Sequence, residues 1–129
     1  MPIITALYAG LLGLVSMGVA YAAGSTRGRA KVSVGDGGSK ELLLAMRRHA
    51  NFVEYVPLAL LMIALLEING VGAHAIHALG AVLVLARLAH AFGIKPDNMS
   101  TPGRMVGAAG TMLVTAVSSV WLIVLFARH

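Results

Sequence analysis

Long apolar stretches alternate with short polar ones along the chain, and this pattern predicts its secondary structure. Four stretches of about 20 residues hold almost only apolar side chains, which is the length that a helix needs to cross roughly 30 Å of hydrocarbon. They predict transmembrane helices over residues 2–22, 40–67, 73–92 and 104–127. We therefore expect an all-α membrane protein in which the 129 residues form a single domain of four spanning helices.

The connections between these stretches carry turn signals. The first, residues 23–39, is polar and rich in glycine, and Ser39 is expected to cap the second helix. Asn69 and Gly70 predict a tight turn into the third helix. Two prolines and two glycines within residues 93–103 end the third helix and separate it from the fourth.

Composition narrows the class of protein further. Hydrophobic residues make up 58% of the chain and charged residues only 12%, with a mean hydropathy of +0.84, which is far more apolar than a soluble domain. The net charge of +5 does not indicate nucleic acid, because the basic residues flank apolar spans; anionic lipid headgroups or an anionic ligand fit better. There is no cysteine, which excludes disulfides and cysteine chemistry.

Basic residues concentrate at one end of the predicted bundle. The first and third connections with their flanks hold Arg27, Arg29, Lys31, Lys40, Arg47, Arg48, Lys95 and Arg104. The second connection holds neither lysine nor arginine. The positive-inside rule therefore places the basic end in the cytoplasm and both termini on the other side, with Arg128 as the exception.

The second predicted helix carries a polar stripe inside an apolar segment. Arg47, Asn51 and Glu54 stand at i, i+4 and i+7, with Tyr55 beside Glu54, so their side chains share one face. An unpaired carboxylate at that depth is costly in hydrocarbon, and the stripe is expected to face other helices or a wet cavity and to mark a functional site. The structural alternative is that Arg47 and Arg48 reach lipid headgroups while Asn51 and Glu54 hold helices together.

Charged and imidazole groups also occur in the third helix. Arg87 and His90 stand at i, i+3 near the basic end. Arg87 is either part of the same site or the partner that neutralises Glu54 without any ligand. His74 and His77 have the same spacing near the opposite end, but no carboxylate stands beside them. We expect these two histidines to be interfacial and predict no metal site.

The fourth helix begins with Thr101-Pro102-Gly103-Arg104. A helix N-terminus disfavours a cation, so the dipole and the guanidinium together favour an anion above that end. The alternative is that Arg104 anchors the helix to headgroups. Small residues at 103, 107 and 108–110 predict close helix packing. Hydrogen bonds across helices are expected from the hydroxyl groups of Thr111, Thr115, Ser118 and Ser119.

Residues 47–61, RRHANFVEYVPLALL, resemble the second-helix signature R-x-x-x-N-x-x-E-Y-x-P-L of the MAPEG family, the membrane-associated proteins in eicosanoid and glutathione metabolism. The pattern is met by Arg47, Asn51, Glu54, Tyr55, Pro57 and Leu58. Residues 86–93, ARLAHAFG, are similar to the family's third-helix segment, and Pro102-x-Arg104 is similar to the start of its fourth helix. Small bacterial members of the family are the most similar.

The resemblance implies a homotrimer of four-helix subunits in the inner membrane, with glutathione held between neighbouring subunits near the cytoplasmic side. Arg104 would be the catalytic residue that stabilises the glutathione thiolate. The glutathione-binding residues would be Arg29, Arg47, Asn51, Glu54, Tyr55, Arg87 and His90. Arg27 is the alternative to Arg29 as the family's first-loop arginine, because the glycine-rich loop changes the spacing.

The implied activity is that of a membrane glutathione transferase whose thiolate attacks a lipophilic electrophile from the bilayer, with reduction of lipid hydroperoxides as a second activity. Glutathione is a substrate here, and neither a metal nor nucleic acid is expected. Ile94 stands where several animal enzymes of the family carry a tyrosine. A non-catalytic lipid-binding or scaffold protein of the same fold is the alternative function, and a proton or ion path through Glu54 and His90 is a third.

Overall fold

A computed structural model describes residues 1–93 and 101–128. Within these residues the chain forms four helices: α1 (Ile3–Ala30), α2 (Lys40–Ile68), α3 (Ala73–Gly93) and α4 (Pro102–Ala127). Each is long and apolar enough to cross a membrane. The predicted all-α fold with four membrane-length helices is therefore confirmed. Ile94 and Lys95 lie outside the described residues.

Helix α1 continues to Ala30, well past its predicted end at residue 22. Apolar length shows where a membrane ends, whereas a helix stops only where its backbone is broken or capped. Gly24 does not end the helix, because one glycine inside a helix costs only about 1 kcal/mol relative to alanine. The helix ends at Lys31, whose positive φ of 53° is the left-handed conformation of a C-terminal cap. The side chain of Arg27 supports this end by donating to carbonyl oxygens of the following loop.

The start of α2 is capped by Ser39 as the sequence predicts, and the start of α4 is capped by Thr101. The Ser39 hydroxyl accepts a hydrogen bond from the Leu42 amide at 3.3 Å. The Thr101 hydroxyl accepts from the Arg104 amide at 3.4 Å, and α4 begins at Pro102, ahead of its predicted start at residue 104. Proline favours the first helical position because its missing N–H would have no partner there.

The four helices form a bundle in which α1 and α4 occupy opposite corners. Each of them packs against α2 and α3, and among the described residues α1 does not contact α4. The buried core runs along α2 and is completed by residues from the other three helices: Leu12, Phe52, Val56, Ala59, Ile63, Leu66, Ile76, Leu83 and Val114. This arrangement places α2, α3 and α4 around a common space at the basic end.

Helices α1 and α2 are antiparallel and are tied together at both ends. The Glu67 carboxylate accepts hydrogen bonds from the amides of Ile4 and Thr5, at 2.9 and 2.8 Å, and from the Thr5 hydroxyl at 2.6 Å. These bonds satisfy amides at the start of α1 that have no partner within the helix. At the other end, the Arg29 guanidinium lies 2.7 Å from Glu41.

Helices α3 and α4 approach each other closely. A Cβ atom on Gly107 would lie 2.6 Å from the His90 amide nitrogen and 2.5 Å from the Ala86 carbonyl oxygen, so only glycine fits there. The predicted close packing of α4 is thus confirmed at Gly107.

The expectation of hydrogen bonds across helices from the α4 hydroxyl groups is largely wrong. Thr111, Thr115 and Ser119 donate to the carbonyl oxygen four residues earlier on their own helix. That oxygen is always within reach of a helical hydroxyl, so it wins over a neighbouring helix. Of these three described hydroxyl groups, Ser119 alone also forms a hydrogen bond to another helix, at 3.2 Å to the Met62 sulfur. The buried Ser118 hydroxyl has no hydrogen-bond partner among the described residues.

Candidate functional site

A cavity of about 340 Å³ lies between α2, α3 and α4 at the basic end of the bundle. It is called the main cavity below. Its lining residues are Leu44, Arg47, Ala50, Asn51, Glu54, His90 and Arg104. The polar members are two guanidinium groups, one carboxylate, one amide and one imidazole, and each of them had been predicted from the sequence as a site residue.

Helix α2 supplies the largest share of this lining. Arg47, Asn51 and Glu54 are on one face of the helix, and the rise of 1.5 Å per residue separates Arg47 from Glu54 by about 10 Å along the axis. Asn51 is half-buried between them, while the two charged residues are exposed on the surface of the subunit. The stripe therefore presents opposite charges at its two ends and an amide in the middle.

His90 enters the main cavity from α3 and is buried, with 5% of its surface exposed. Its position depends on the contact between α3 and α4, because Gly107 packs directly against the His90 backbone and its Cβ atom. A side chain on residue 107 would push His90 away from α4. The position of the imidazole thus depends on the missing side chain of Gly107, which lies less than one helical turn after Arg104.

Arg104 enters from the first turn of α4. The Thr101 hydroxyl caps this turn and also contacts the Gly93 carbonyl oxygen at the end of α3. This pair of contacts joins the end of α3 to the start of α4, so Arg104 and His90 are positioned together. The partial positive charge of the helix N-terminus adds to that of the guanidinium, and both favour an anionic group in the main cavity.

Arg87 is buried, with 2% of its surface exposed, and its Nη2 donates to the Asn51 side-chain oxygen at 3.0 Å. The alternative in which Arg87 neutralises Glu54 is wrong within the subunit, because no salt bridge joins these two described residues. The guanidinium is directed at the middle of the stripe rather than at its carboxylate end. Arg87 Nε has no hydrogen-bond partner in the described part of the chain.

A smaller cavity of about 80 Å³ adjoins the main cavity, and Asn51 lines both. Arg87 and Tyr55 belong to this smaller cavity together with Ala108, Thr111 and Met112. The structure therefore divides the predicted site residues of α2 and α3 between two adjoining spaces. Asn51 connects them, since its oxygen faces Arg87.

The two candidate arginines of α1 lie away from the main cavity of the same subunit. Arg29 is exposed and is held by Glu41 at 2.7 Å and by the Thr26 hydroxyl at 3.1 Å. Arg27 donates to the Val32 and Gly35 carbonyl oxygens, at 3.2 and 3.0 Å. Neither lines the main cavity, because α1 occupies the corner of the bundle opposite α4.

The two histidines at the start of α3 lie at the other end of the bundle. His77 Nδ1 is 3.0 Å from the Tyr8 hydroxyl, and the two rings meet edge to face. Both histidines are exposed, consistent with an interfacial position. Across residues 1–93 and 101–128, no group of three or more metal-ligating side chains is arranged to hold a metal ion.

The main cavity is open on the side of the helix bundle where Glu54 lies. Glu54 is exposed beside the apolar side chains of Val53 and Leu58, which are also exposed. A carboxylate in contact with hydrocarbon is strongly unfavourable, so within a membrane water or protein must cover this face. The balance of two guanidinium groups against one carboxylate favours a ligand that is anionic overall and carries one cationic group.

Sequence reasoning did not identify the apolar lining residues. Leu44 and Ala50 stand three residues on either side of Arg47, so helical periodicity places them on the same face. Thr111, which lines the smaller cavity, was expected to hold helices together. Its position became clear only from the packing of α4 against α2 and α3.

Comparisons with known proteins agree with this structure. The model of the MAPEG family matches residues 5–124. Among curated proteins, Inner membrane protein YecN of Escherichia coli strain K12 is 39% identical over 90 residues, which cover 70% of this chain and 69% of that protein. The protein of the same name from Escherichia coli O6:H1 matches equally well. No solved structure gives a significant match. The family model covers nearly the whole chain, and the protein is a member of the MAPEG family.

Proposed function

We propose that this protein is a membrane-bound glutathione transferase that binds glutathione in the main cavity. The observation that carries the proposal is the convergence in one cavity of Arg47, Asn51 and Glu54 from α2 with His90 from α3 and Arg104 from α4. Membership of a family that includes glutathione transferases supports the same activity.

The charges of the cavity complement those of glutathione. Glutathione carries two carboxylates, one ammonium group and a thiol. Arg47 would bind a carboxylate and Glu54 the ammonium group, while Asn51 and His90 would form directional hydrogen bonds. The axial separation of Arg47 and Glu54 is about 10 Å, which is close to the length of an extended tripeptide, about 10 Å at 3.3–3.6 Å per residue. The cavity volume of about 340 Å³ also lies in the usual range of ligand pockets, roughly 300–1,000 Å³.

Arg104 is proposed to act on the thiol. The thiolate is the nucleophile, and a free thiol with a pKa of about 8.5 is mostly protonated at neutral pH. A guanidinium nearby stabilises the charged form and thereby lowers the thiol pKa. The proton passes to water, and the sulfur lone pair forms a C–S bond with the electrophilic carbon. A leaving group departs with its bonding electrons, or in an addition the adjacent carbanion takes up a proton.

Arg87 and Tyr55 are proposed to support this site from the smaller cavity. Arg87 fixes the Asn51 amide by occupying its oxygen, which leaves the amide N–H groups for the ligand. Tyr55 is adjacent in sequence to Glu54 and lines the same space as Arg87. We propose two possible roles for Arg87 and Tyr55: they contact the edge of the bound glutathione, or they act on it through Asn51.

The assembly proposed for this activity is a homotrimer in the inner membrane, the location named for the Escherichia coli relative. A neighbouring subunit would cover the exposed Glu54 and complete the cavity wall. The neighbour would also bring its own Arg29 to the glutathione, whereas the Arg29 of the same subunit does not line the main cavity. The basic end with the main cavity would face the cytoplasm, and lipophilic electrophiles or lipid hydroperoxides would reach the thiolate from the bilayer.

Calorimetry of glutathione binding to the purified, detergent-solubilised protein tests the proposal, together with the ultraviolet absorbance of the bound thiolate. The parent is expected to bind glutathione and to show the thiolate band at neutral pH. Arg104→Ala should lose the band while its oligomer stays intact by size exclusion. Arg128→Ala, at the other end of α4, is the matched control and should retain both signals. Absence of binding at millimolar glutathione would overturn the proposal.

A further inference from the structure

A second groove lies on the other side of α2, between α1, α2 and α3, and has a volume of about 450 Å³. It is called the lipid groove below. Its lining residues are Leu14, Val15, Gly18, Val19, Ala22, Ala45, Arg48, Leu88, Ala91 and Phe92. Arg48 is the one charged residue among these. Arg47 and Arg48 are consecutive but about 100° apart around the helix, and so they face different cavities.

The ties between α1 and α2 locate Arg48 along this groove. Arg29 meets Glu41 at the basic end of the two antiparallel helices. Arg48 stands seven residues after Glu41, and Ala22 stands seven residues before Arg29. Arg48 is therefore level with Ala22, at the basic end of the groove, and the wall formed by α1 continues from there towards the membrane centre as far as Leu14.

The dimensions of the groove fit an acyl chain. The wall from Ala22 to Leu14 is about 12 Å long at 1.5 Å per residue, which is most of one leaflet of a hydrocarbon core about 30 Å thick. A helix of that length, about 10 Å across with its side chains, would occupy roughly 900 Å³. That is about twice the volume of the groove, so the groove has room for an acyl chain but for only part of a helix.

We propose that this groove binds one acyl chain of an anionic phospholipid from the leaflet on the basic side, with the lipid phosphate on Arg48. The apolar wall binds the acyl chain through van der Waals packing, and the guanidinium forms charge-assisted hydrogen bonds with phosphate oxygens. Anionic lipids are enriched in the cytoplasmic leaflet and attract basic residues near its surface. The lipid groove shares no lining residue with the main cavity, so this site stands independently of the proposed transferase activity.

Glycine positions on α1 allow a matched test of the groove. Gly18 lines the groove, and a Cβ atom on it would meet nothing within 4 Å. A leucine at this position would therefore fill the groove. Gly13 is equally open but is not part of the lining. Lys40, exposed at the start of α2, serves as the control for loss of charge.

The experiment is native mass spectrometry of the full-length, delipidated protein titrated with phosphatidylglycerol or with phosphatidylcholine of the same acyl chains. Arg48→Gln is expected to weaken phosphatidylglycerol binding about fivefold to tenfold and phosphatidylcholine binding clearly less, because the choline ammonium offsets the charge of the phosphate in that lipid. Gly18→Leu is expected to weaken the binding of both lipids by tenfold or more. Lys40→Gln and Gly13→Leu should stay within twofold of the parent.

Equal effects of Arg48→Gln and Lys40→Gln would overturn the proposal, because general surface charge would then explain the preference. So would equal effects of Gly18→Leu and Gly13→Leu. A change of oligomer size in Gly18→Leu with unchanged lipid binding would make the groove a subunit contact instead. If Gly18→Leu does not assemble, Ala22→Leu and its control Ala20→Leu replace the pair. Glutathione binding, measured in all variants, separates failure of the lipid groove from failure of the main cavity.

Discussion

The buried Arg87 guanidinium donates a hydrogen bond to the Asn51 side-chain oxygen at 3.0 Å. Because arginine is a donor only, this bond assigns the orientation of the amide: the oxygen faces Arg87 and the nitrogen faces away from it. The α3 arginine thus converts Asn51 into a donor for an acceptor group in the main cavity. Helix α3 therefore contributes His90 to the lining of the main cavity, and its Arg87 acts on the cavity through Asn51.

Replacing Arg87 with methionine should disturb glutathione binding without removing a group that touches the thiol. The Asn51 amide would lose its fixed orientation, so we expect the KM for glutathione to rise about tenfold, the effect of one hydrogen bond to a charged group, with kcat within twofold. Steady-state kinetics with a model electrophile measures both. Arg87→Lys, which retains a donor, should recover part of the affinity; an equal fall in kcat for both variants would contradict a positioning role.

Glu54→Gln distinguishes the transferase from a scaffold protein. If the carboxylate binds the ammonium group of glutathione, affinity should fall about tenfold or more, since hydrogen bonds to charged groups contribute about 1.5–3 kcal/mol, and the oligomer should remain assembled. Calorimetry and size exclusion check these two outcomes. A scaffold role predicts the opposite pattern, with assembly lost in Glu54→Gln.

Glu67→Gln is the matched control for that experiment. Glu67 ties the start of α1 to the end of α2 through bonds from Ile4 and Thr5, at the end of the bundle away from the main cavity. Its replacement should lower thermal stability and leave glutathione affinity within twofold of the parent. Equal losses of affinity in Glu54→Gln and Glu67→Gln would indicate a general structural effect.

Arg104→Ala should change the pH dependence of turnover as well as its size. If Arg104 stabilises the thiolate in the parent, the thiol pKa is lowered and the nucleophile is already abundant at neutral pH. In the variant the thiolate forms only as the pH approaches the free thiol pKa of about 8.5. We expect kcat at pH 7 to fall about 10²-fold, the usual effect of losing one group that stabilises developing charge, and to recover partly between pH 7 and 9. A pH profile parallel to that of the parent would remove this role from Arg104.

Gly107→Ala should separate α3 from α4. The added Cβ atom would lie 2.5 Å from the Ala86 carbonyl oxygen and 2.6 Å from the His90 amide nitrogen, and backbone atoms cannot move aside cheaply. Overpacking of this kind costs about 1–3 kcal/mol, so the thermal unfolding midpoint measured at a fixed heating rate should fall by several degrees. Gly10→Ala, where nothing lies within 4 Å, should leave the midpoint unchanged or raise it slightly, because alanine favours a helix by about 1 kcal/mol relative to glycine. An unchanged midpoint in Gly107→Ala would show that the two helices are free to separate.

The sequence by itself determined the four helices and the polar stripe of α2. Hydrocarbon about 30 Å thick requires apolar helices of about 20 residues, so the apolar stretches along the sequence are enough to predict them. The helical period places Arg47, Asn51 and Glu54 on one face whatever surrounds them. The end of α1 at Ala30 was missed because hydropathy marks the membrane rather than the helix.

Only the tertiary structure decided what each face meets. His90 and Arg104 join the stripe because α3 and α4 cross closely at Gly107, a contact between residues that are distant in sequence. The same packing selects Asn51 rather than Glu54 as the partner of Arg87. Periodicity shows which side chains of one helix lie together, but the pairing of helices depends on the shapes of all four surfaces at once, and no single segment of sequence contains that information.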